Sequence, residues 1–238
     1  MKLLFIITLI FSNAWGRIIL IDPGHGGSDL GTQGNLKTPK NQKIYEKDLA
    51  LKMAKILQQE LQKNYQVYLT RTNDTYVSLD ARAKMADTVK ADLFISLHFN
   101  SNADRSAQGI ETFYLDNHND VAVKKVEDLE NVELEGKSTV INHILIDLAI
   151  KLTTKESKQL AKLIHNQSVN FLSSKYKIRN RGSKAGLLYV LALSKRPGVL
   201  IEGGFMSNSL EMNRIYQDKF LQSYAAGIRS GIDLYFKK

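Results

Sequence analysis

A chain of 238 residues, 43% of them hydrophobic, is long enough to bury one sizeable core and too short to suggest two catalytic domains. Its 33 Lys and Arg against 24 Asp and Glu leave a formal charge of +9, which favours adsorption to anionic lipid, cell-wall polymer or nucleic acid. With no basic stripe interleaved with aromatics, nucleic acid is the weakest of the three, and the absence of cysteine excludes a disulfide framework and a thiolate metal site.

Along the chain, Lys2, the apolar run Leu3 to Phe11 and then Ala14-Trp15-Gly16 follow the charged, hydrophobic and small-residue order of a secretory signal. Residues 1–16 are expected to be removed, leaving 17–238 as the mature domain. The apolar run is about half the ~20 residues a membrane span needs, so no stable span is expected after cleavage. The dense run IILI, 18–21, ends abruptly in Asp-Pro-Gly-His-Gly-Gly. Leu49, Met53, Ile56, Leu57 and Leu61 then fall on one face of a helix over 46–63. A strand is expected at 65–70, a helix at 78–90, a short buried strand at 92–97 and another strand at 109–115. The charged stretch 120–137 reads as an insertion lying over the surface. It precedes a helical stripe at Val140, Ile141, Ile144, Leu145, Leu148 and Ala149 that is expected to face something apolar. A helix at 157–172, a strand at 198–201 and a last helical region at 210–235 complete the alternation. The pattern predicts a single-domain α/β fold, a twisted, mostly parallel or mixed β-sheet flanked by helices on both faces.

Three apolar runs each finish near a residue that binds metal or moves protons: Leu20-Ile21-Asp22 before His25, Ile95-Ser96-Leu97 before His98, and Leu200-Ile201 before Glu202. Open α/β sheets bind ligands beyond the carboxyl ends of their strands, so these side chains can converge there, with Glu46 joining from the start of its helix. Two histidines and a carboxylate suit a zinc that keeps a fourth position for water, and a second carboxylate outside that set can serve as general base. Each residue also has a plainer reading: His25 and His98 as hydrogen-bonded turn residues, Glu202 as a turn carboxylate, Glu46 as a partner of the helix dipole. Asp22 is a candidate support for the histidines. His118, His143 and His165 read as structural or solvated, and Arg179 and Arg181 as loop cations able to hold a carboxylate.

The ordered blocks IDPGHGGSDLGTQG, YEKDLAL, DLFISLHFNS, GIETFYL, NRGSKAGLLYVL and PGVLIEGGFMSN resemble the zinc-dependent N-acetylmuramoyl-L-alanine amidases of bacterial cell walls, from about residue 18 to the C-terminus. The resemblance implies hydrolysis of the amide between N-acetylmuramic acid and the L-alanine of the stem peptide. It implies Zn2+ ligands at His25, Glu46 and His98, and a catalytic role for Glu202 as the group that takes and returns the proton. Gly203, where the family more often has another residue, is expected to loosen the loop. Peptidoglycan is the implied substrate, in wall remodelling or daughter-cell separation, and the periplasm the implied location, with secretion or the cell surface as alternatives. The resemblance also implies that the insert, 120–136, covers the site until a protein activator displaces it, with Glu127, Glu130, Glu133 or Glu135 as the blocking ligand; a solvated acidic helix is the competing reading. The rival functions are another zinc hydrolase of peptidoglycan, a stem-peptide peptidase or a deacetylase, and a non-catalytic wall-binding regulator.

Overall fold

The computed structural model describes residues 16–37, 42–131 and 139–237, without the side chains of 139–143. The expected signal, all but its last residue, and the whole of the segment 132–138, with Glu133 and Glu135, lie outside the described residues. Among the described residues, eight strands and seven helices follow in the order β1 (Ile18–Pro23), β2 (Gln33–Asn35), β3 (Lys43–Tyr45), α1 (Glu46–Leu61), β4 (Gln66–Leu69), α2 (Leu79–Thr88), β5 (Leu93–Asn100), β6 (Ile110–Leu115), α3 (Val121–Glu130), α4 (Thr139–Ser173), β7 (Asn180–Gly186), α5 (Tyr189–Ser194), β8 (Gly198–Phe205), α6 (Ser209–Ile215) and α7 (Asp218–Phe236). Six strands form one sheet in the order β4-β1-β5-β8-β6-β7, and β2 pairs with β3 in a small hairpin. All sheet pairs are parallel except β6 with β8. The predicted mixed α/β sheet is the observed one.

Strand residues alternate between two cores, as the period of two requires. Ile19, Ile21, Ile95, Val199 and Ile201 pack with Leu49 and Met53 of α1, Ile164 of α4 and Tyr224 of α7. Leu20, Phe94, Leu200 and Phe113 point the other way, against Ala86 of α2, Val123 and Val126 of α3 and Leu191 of α5. Helices therefore cover both faces, and strands buried on both sides read as continuous apolar runs.

Several boundaries differ from expectation. Strands β5 and β8 continue to Asn100 and Phe205, so His98 and Glu202 sit within strands and not after them. Gly203 therefore loosens no loop: inside β8, a Cβ there would stand 2.6 Å from Phe99 Cε1, so packing demands glycine. The stripe after the insert and the helix at 157–172 fuse into one helix of 35 residues. Ala149 on the stripe is buried, but Ile144 is 64% exposed and Leu148 48% exposed, so the stripe does not pack inward as expected. The C-terminal region divides at Tyr216–Gln217 into α6 and α7. No described helix is long and apolar enough to cross a membrane.

Candidate metal centre

The site lies on the α3 side of the sheet, built from strand ends and one helix start. His98 of β5 is the register partner of Glu202 of β8, which in turn faces Glu111 of β6, so three neighbouring strands present three ionisable side chains in a row. His25 arrives from the loop after β1 with φ +58°, a left-handed conformation that non-glycine residues adopt infrequently. Glycine at 24 is required by close approach: a Cβ there would lie 2.3 Å from His98 Cε1 and 2.4 Å from its Nε2. Glu46 is the first residue of α1, where the helix dipole favours a carboxylate.

His25, Glu46, His98 and Glu130 each offer one ligand atom, and these atoms all lie within 4.8 Å of one another. His25 Nδ1 is 2.8 Å from Asp29 Oδ2, which turns Nε2 into the cluster, 3.1 Å from Glu46 Oε2. Among the described residues that buried Nε2 has no hydrogen-bond partner, as expected of an atom oriented for an ion. The Glu46 carboxylate accepts the backbone N–H groups of Phe99 and Thr32, both at 2.9 Å, and its Oε1 is 3.2 Å from His98 Nδ1. Glu130, at the end of α3, places Oε2 3.0 Å from His98 Nδ1. Two imidazoles and two carboxylates without thiolate form a donor set suited to zinc, and the orphaned Nε2 supports the fit.

The electrostatics agree. Burial lowers the His25 imidazole, yet Glu46, Asp29 and Glu130 outweigh it and push it up to about 12. Burial also opposes His98, which Glu130 and Glu46 raise to about 10. Burial disfavours charge on Glu46 too, but the two histidines hold its carboxyl well below the usual range. Such a cavity retains positive charge, as protons or as a cation. Glu202 behaves oppositely: burial and then the negative charge of Glu130 push its carboxyl well above the usual carboxylate range, and among the described residues its buried Oε2 has no hydrogen-bond partner.

Other expected residues fall elsewhere. Among the described residues Asp22 hydrogen-bonds neither histidine directly; its carboxylate accepts Thr70 Oγ1 at 2.6 Å, Ser96 Oγ at 2.9 Å and Arg82 Nη1 at 2.5 Å, and Arg82 in turn donates to His25 O. The partner of His25 is Asp29, four residues on, which sequence reasoning missed although a carboxylate that close to a loop histidine was a legible signal. Of the two insert glutamates among the described residues, Glu127 and Glu130, it is Glu130 that reaches the cluster. Glu127 instead pairs with His118 and accepts the Leu187 N–H, which anchors α3. His165 is buried between Thr112 and Asn180. Arg181 Nε donates to Glu111 at 2.9 Å; the reading of NRGSKAG as a loop missed β7.

Residues 19–233 match the family described as N-acetylmuramoyl-L-alanine amidase. The chain is 31% identical over 231 residues to N-acetylmuramoyl-L-alanine amidase AmiC of Escherichia coli O6:H1, covering 92% of this chain and 52% of that protein. It is likewise 31% identical to the sporulation-specific N-acetylmuramoyl-L-alanine amidase of Bacillus subtilis, over 92% and 68% of the two chains. Among solved structures, the N-acetylmuramoyl-L-alanine amidase from Clostridium difficile 630 superposes with a TM-score of 0.70 at 33% identity, covering 94% of this chain and 98% of that one. The chain thus spans about half the length of AmiC and nearly all of the solved Clostridium enzyme.

Proposed function

The chain belongs to the N-acetylmuramoyl-L-alanine amidase family, and from that premise we propose that it is a zinc-dependent hydrolase of peptidoglycan that cuts the amide between N-acetylmuramic acid and L-alanine, in wall remodelling or cell separation. The observation that carries this reading is the cluster His25, Glu46 and His98 beside Glu202, the strand neighbour of His98. Zinc held there would supply a Lewis acid that polarises the scissile carbonyl and makes an attacking water more acidic. The protein's own part begins with orientation. Asp29 fixes the His25 ring, and the N–H groups of Phe99 and Thr32 fix Glu46. Glu202, buried and with a free Oε2, takes the proton from water and returns it to the alanine nitrogen as the C–N bond breaks. A carboxyl whose proton affinity is raised by burial suits that exchange.

Helix α3 represents the resting form in this reading. Glu130 stands where it competes for the metal, and its charge helps keep Glu202 protonated, so withdrawing α3 frees a ligand position and eases ionisation of the base. A protein activator is the agent proposed to withdraw it. A signal at 1–16 and the +9 charge fit an exported, periplasmic enzyme that adheres to an anionic wall.

The test is digestion of purified peptidoglycan by residues 17–238, with and without a chelator, beside Glu202→Gln, with products read by mass spectrometry. The expected result is chelator-sensitive release of whole stem peptides, with turnover in the variant lower by ~10²–10⁴-fold. Released single amino acids or acetate would replace the amidase with a peptidase or deacetylase.

A further inference from the structure

Two arginines far from each other in sequence converge on the main chain of the His25 loop. Arg71 is 4% exposed, and its guanidinium donates only to carbonyls: Nε to Pro23 O at 3.1 Å, Nη2 to Gly24 O at 2.7 Å and to Lys47 O at 2.8 Å, and Nη1 to Asn73 O at 3.1 Å. Arg82, also 4% exposed, donates Nη1 to Pro23 O at 2.9 Å and Nη2 to His25 O at 2.9 Å. Its other commitments are Val77 O, which accepts Nε at 2.8 Å, and Asp22, itself held by Thr70 and Ser96. The remaining loop carbonyls are occupied too: Gly26 O accepts the Asp29 N–H, and Gly27 O accepts Lys47 Nζ.

Every carbonyl from 23 to 27 therefore has a donor, and three of the five are bound by buried guanidinium groups. The same segment holds His25, Gly26 and Gly27 at φ +58°, +132° and +58°. The two glycines adopt positive φ freely, but His25 with its Cβ does not, so bonds from outside the loop are needed to hold His25 in this conformation. Among the described residues neither guanidinium hydrogen-bonds a side chain of the cluster.

We infer that Arg71 and Arg82 are positioning residues for metal binding: they form a clamp that presets the His25 loop so that Nε2 meets Glu46 and His98 without rearrangement. The inference rests on the zinc reading above. A preset site binds more tightly because less ordering accompanies ligand capture, and loss of supporting bonds around a metal typically costs ~10–100-fold in affinity.

Arg71→Lys keeps the positive charge but not the planar fork, which separates geometry from electrostatics. Zinc affinity of the purified chain would be measured by competition with a chromophoric chelator, alongside thermal melting of the metal-free protein and amide exchange at 24–27. The clamp requires a zinc Kd raised ~10–100-fold with faster exchange in the loop. A melting point that falls while the zinc Kd stays within twofold of the parent would show a merely structural arginine and overturn the proposal. If Arg71→Lys does not fold, Thr70→Val decides by the same criterion, because it removes one hold on Asp22 and so loosens Arg82. A parent chain that binds no zinc would instead sink the metal reading itself.

Discussion

The loop 23–27 and helix α3 each deliver one side chain to the same cluster, His25 from the first and Glu130 from the second, but their anchorage differs. The loop has a donor on every carbonyl and two buried arginines behind it. Among the described residues, helix α3 presses Val123 and Val126 into the core and is also tied by Glu127, to His118 and Leu187 N, and by Asn131, whose side chain accepts the Tyr189 N–H and donates to Leu187 O. On the proposed metal reading the contrast separates two tasks: the ligand that stays, His25, is over-determined, whereas the ligand proposed to leave, Glu130, is held among the described residues by a short set of contacts that a competing partner can replace.

The sharpest way to break that comparison is Glu130→Ala. A charge-assisted hydrogen bond contributes ~1.5–3 kcal/mol, so its loss is expected to raise basal peptidoglycan turnover ~10–100-fold. Unchanged turnover, measured by dye release from labelled wall, would mean that α3 does not restrain the enzyme. A smaller effect of opposite sign is expected on the rigid side. Gly24→Ala drives a methyl group into the His98 ring, and overpacking of this kind costs ~1–3 kcal/mol, visible in chemical denaturation together with weaker zinc binding. An undiminished zinc affinity in that variant would show the loop to be more pliable than its hydrogen bonds suggest.

The smallest effect lies outside both regions. Burial lowers the His165 pKa, so its neutral form favours the fold; that contribution is complete above the ordinary histidine pKa of ~6.5 and declines as pH falls below it. His165→Gln should flatten the acid slope of stability in this window while leaving zinc affinity unaltered. A slope as steep as the parent's would assign the acid sensitivity to other groups.

Much of this architecture was legible because strands buried on both faces announce themselves as apolar runs, and because His25, His98 and Glu202 each follow such a run. Glu46 was legible through its helix, but the joint arrangement of the four rests on long-range pairing that spacing alone does not encode. Arg71 and Arg82 were illegible for a physical reason: apart from the Asp22 carboxylate, which Arg82 binds across 60 residues of sequence, their partners are backbone carbonyls, which have no residue identity to recognise. The same holds for β7, where NRGSKAG carries no apolar alternation and becomes a strand through parallel pairing with β6. The 35-residue α4 hid its continuity because a half that faces solvent with Ile144 and Leu148 does not share a stripe with the half that packs on the sheet.

The row His98, Glu202 and Glu111 has one more implication. β8 carries an extra residue just after it, since His98 pairs with Glu202 but Asn100 pairs with Phe205, and Gly204 at φ +131° absorbs the offset. Side chains on a strand alternate, so a slip of one residue would turn Glu202 toward the opposite core and bring Ile201 or Gly203 to the row. Chemistry at this site thus doubles as a proofreader of strand alignment: a sheet zipped one notch out of step can be compact and fully hydrogen-bonded, yet it would be silent toward the wall.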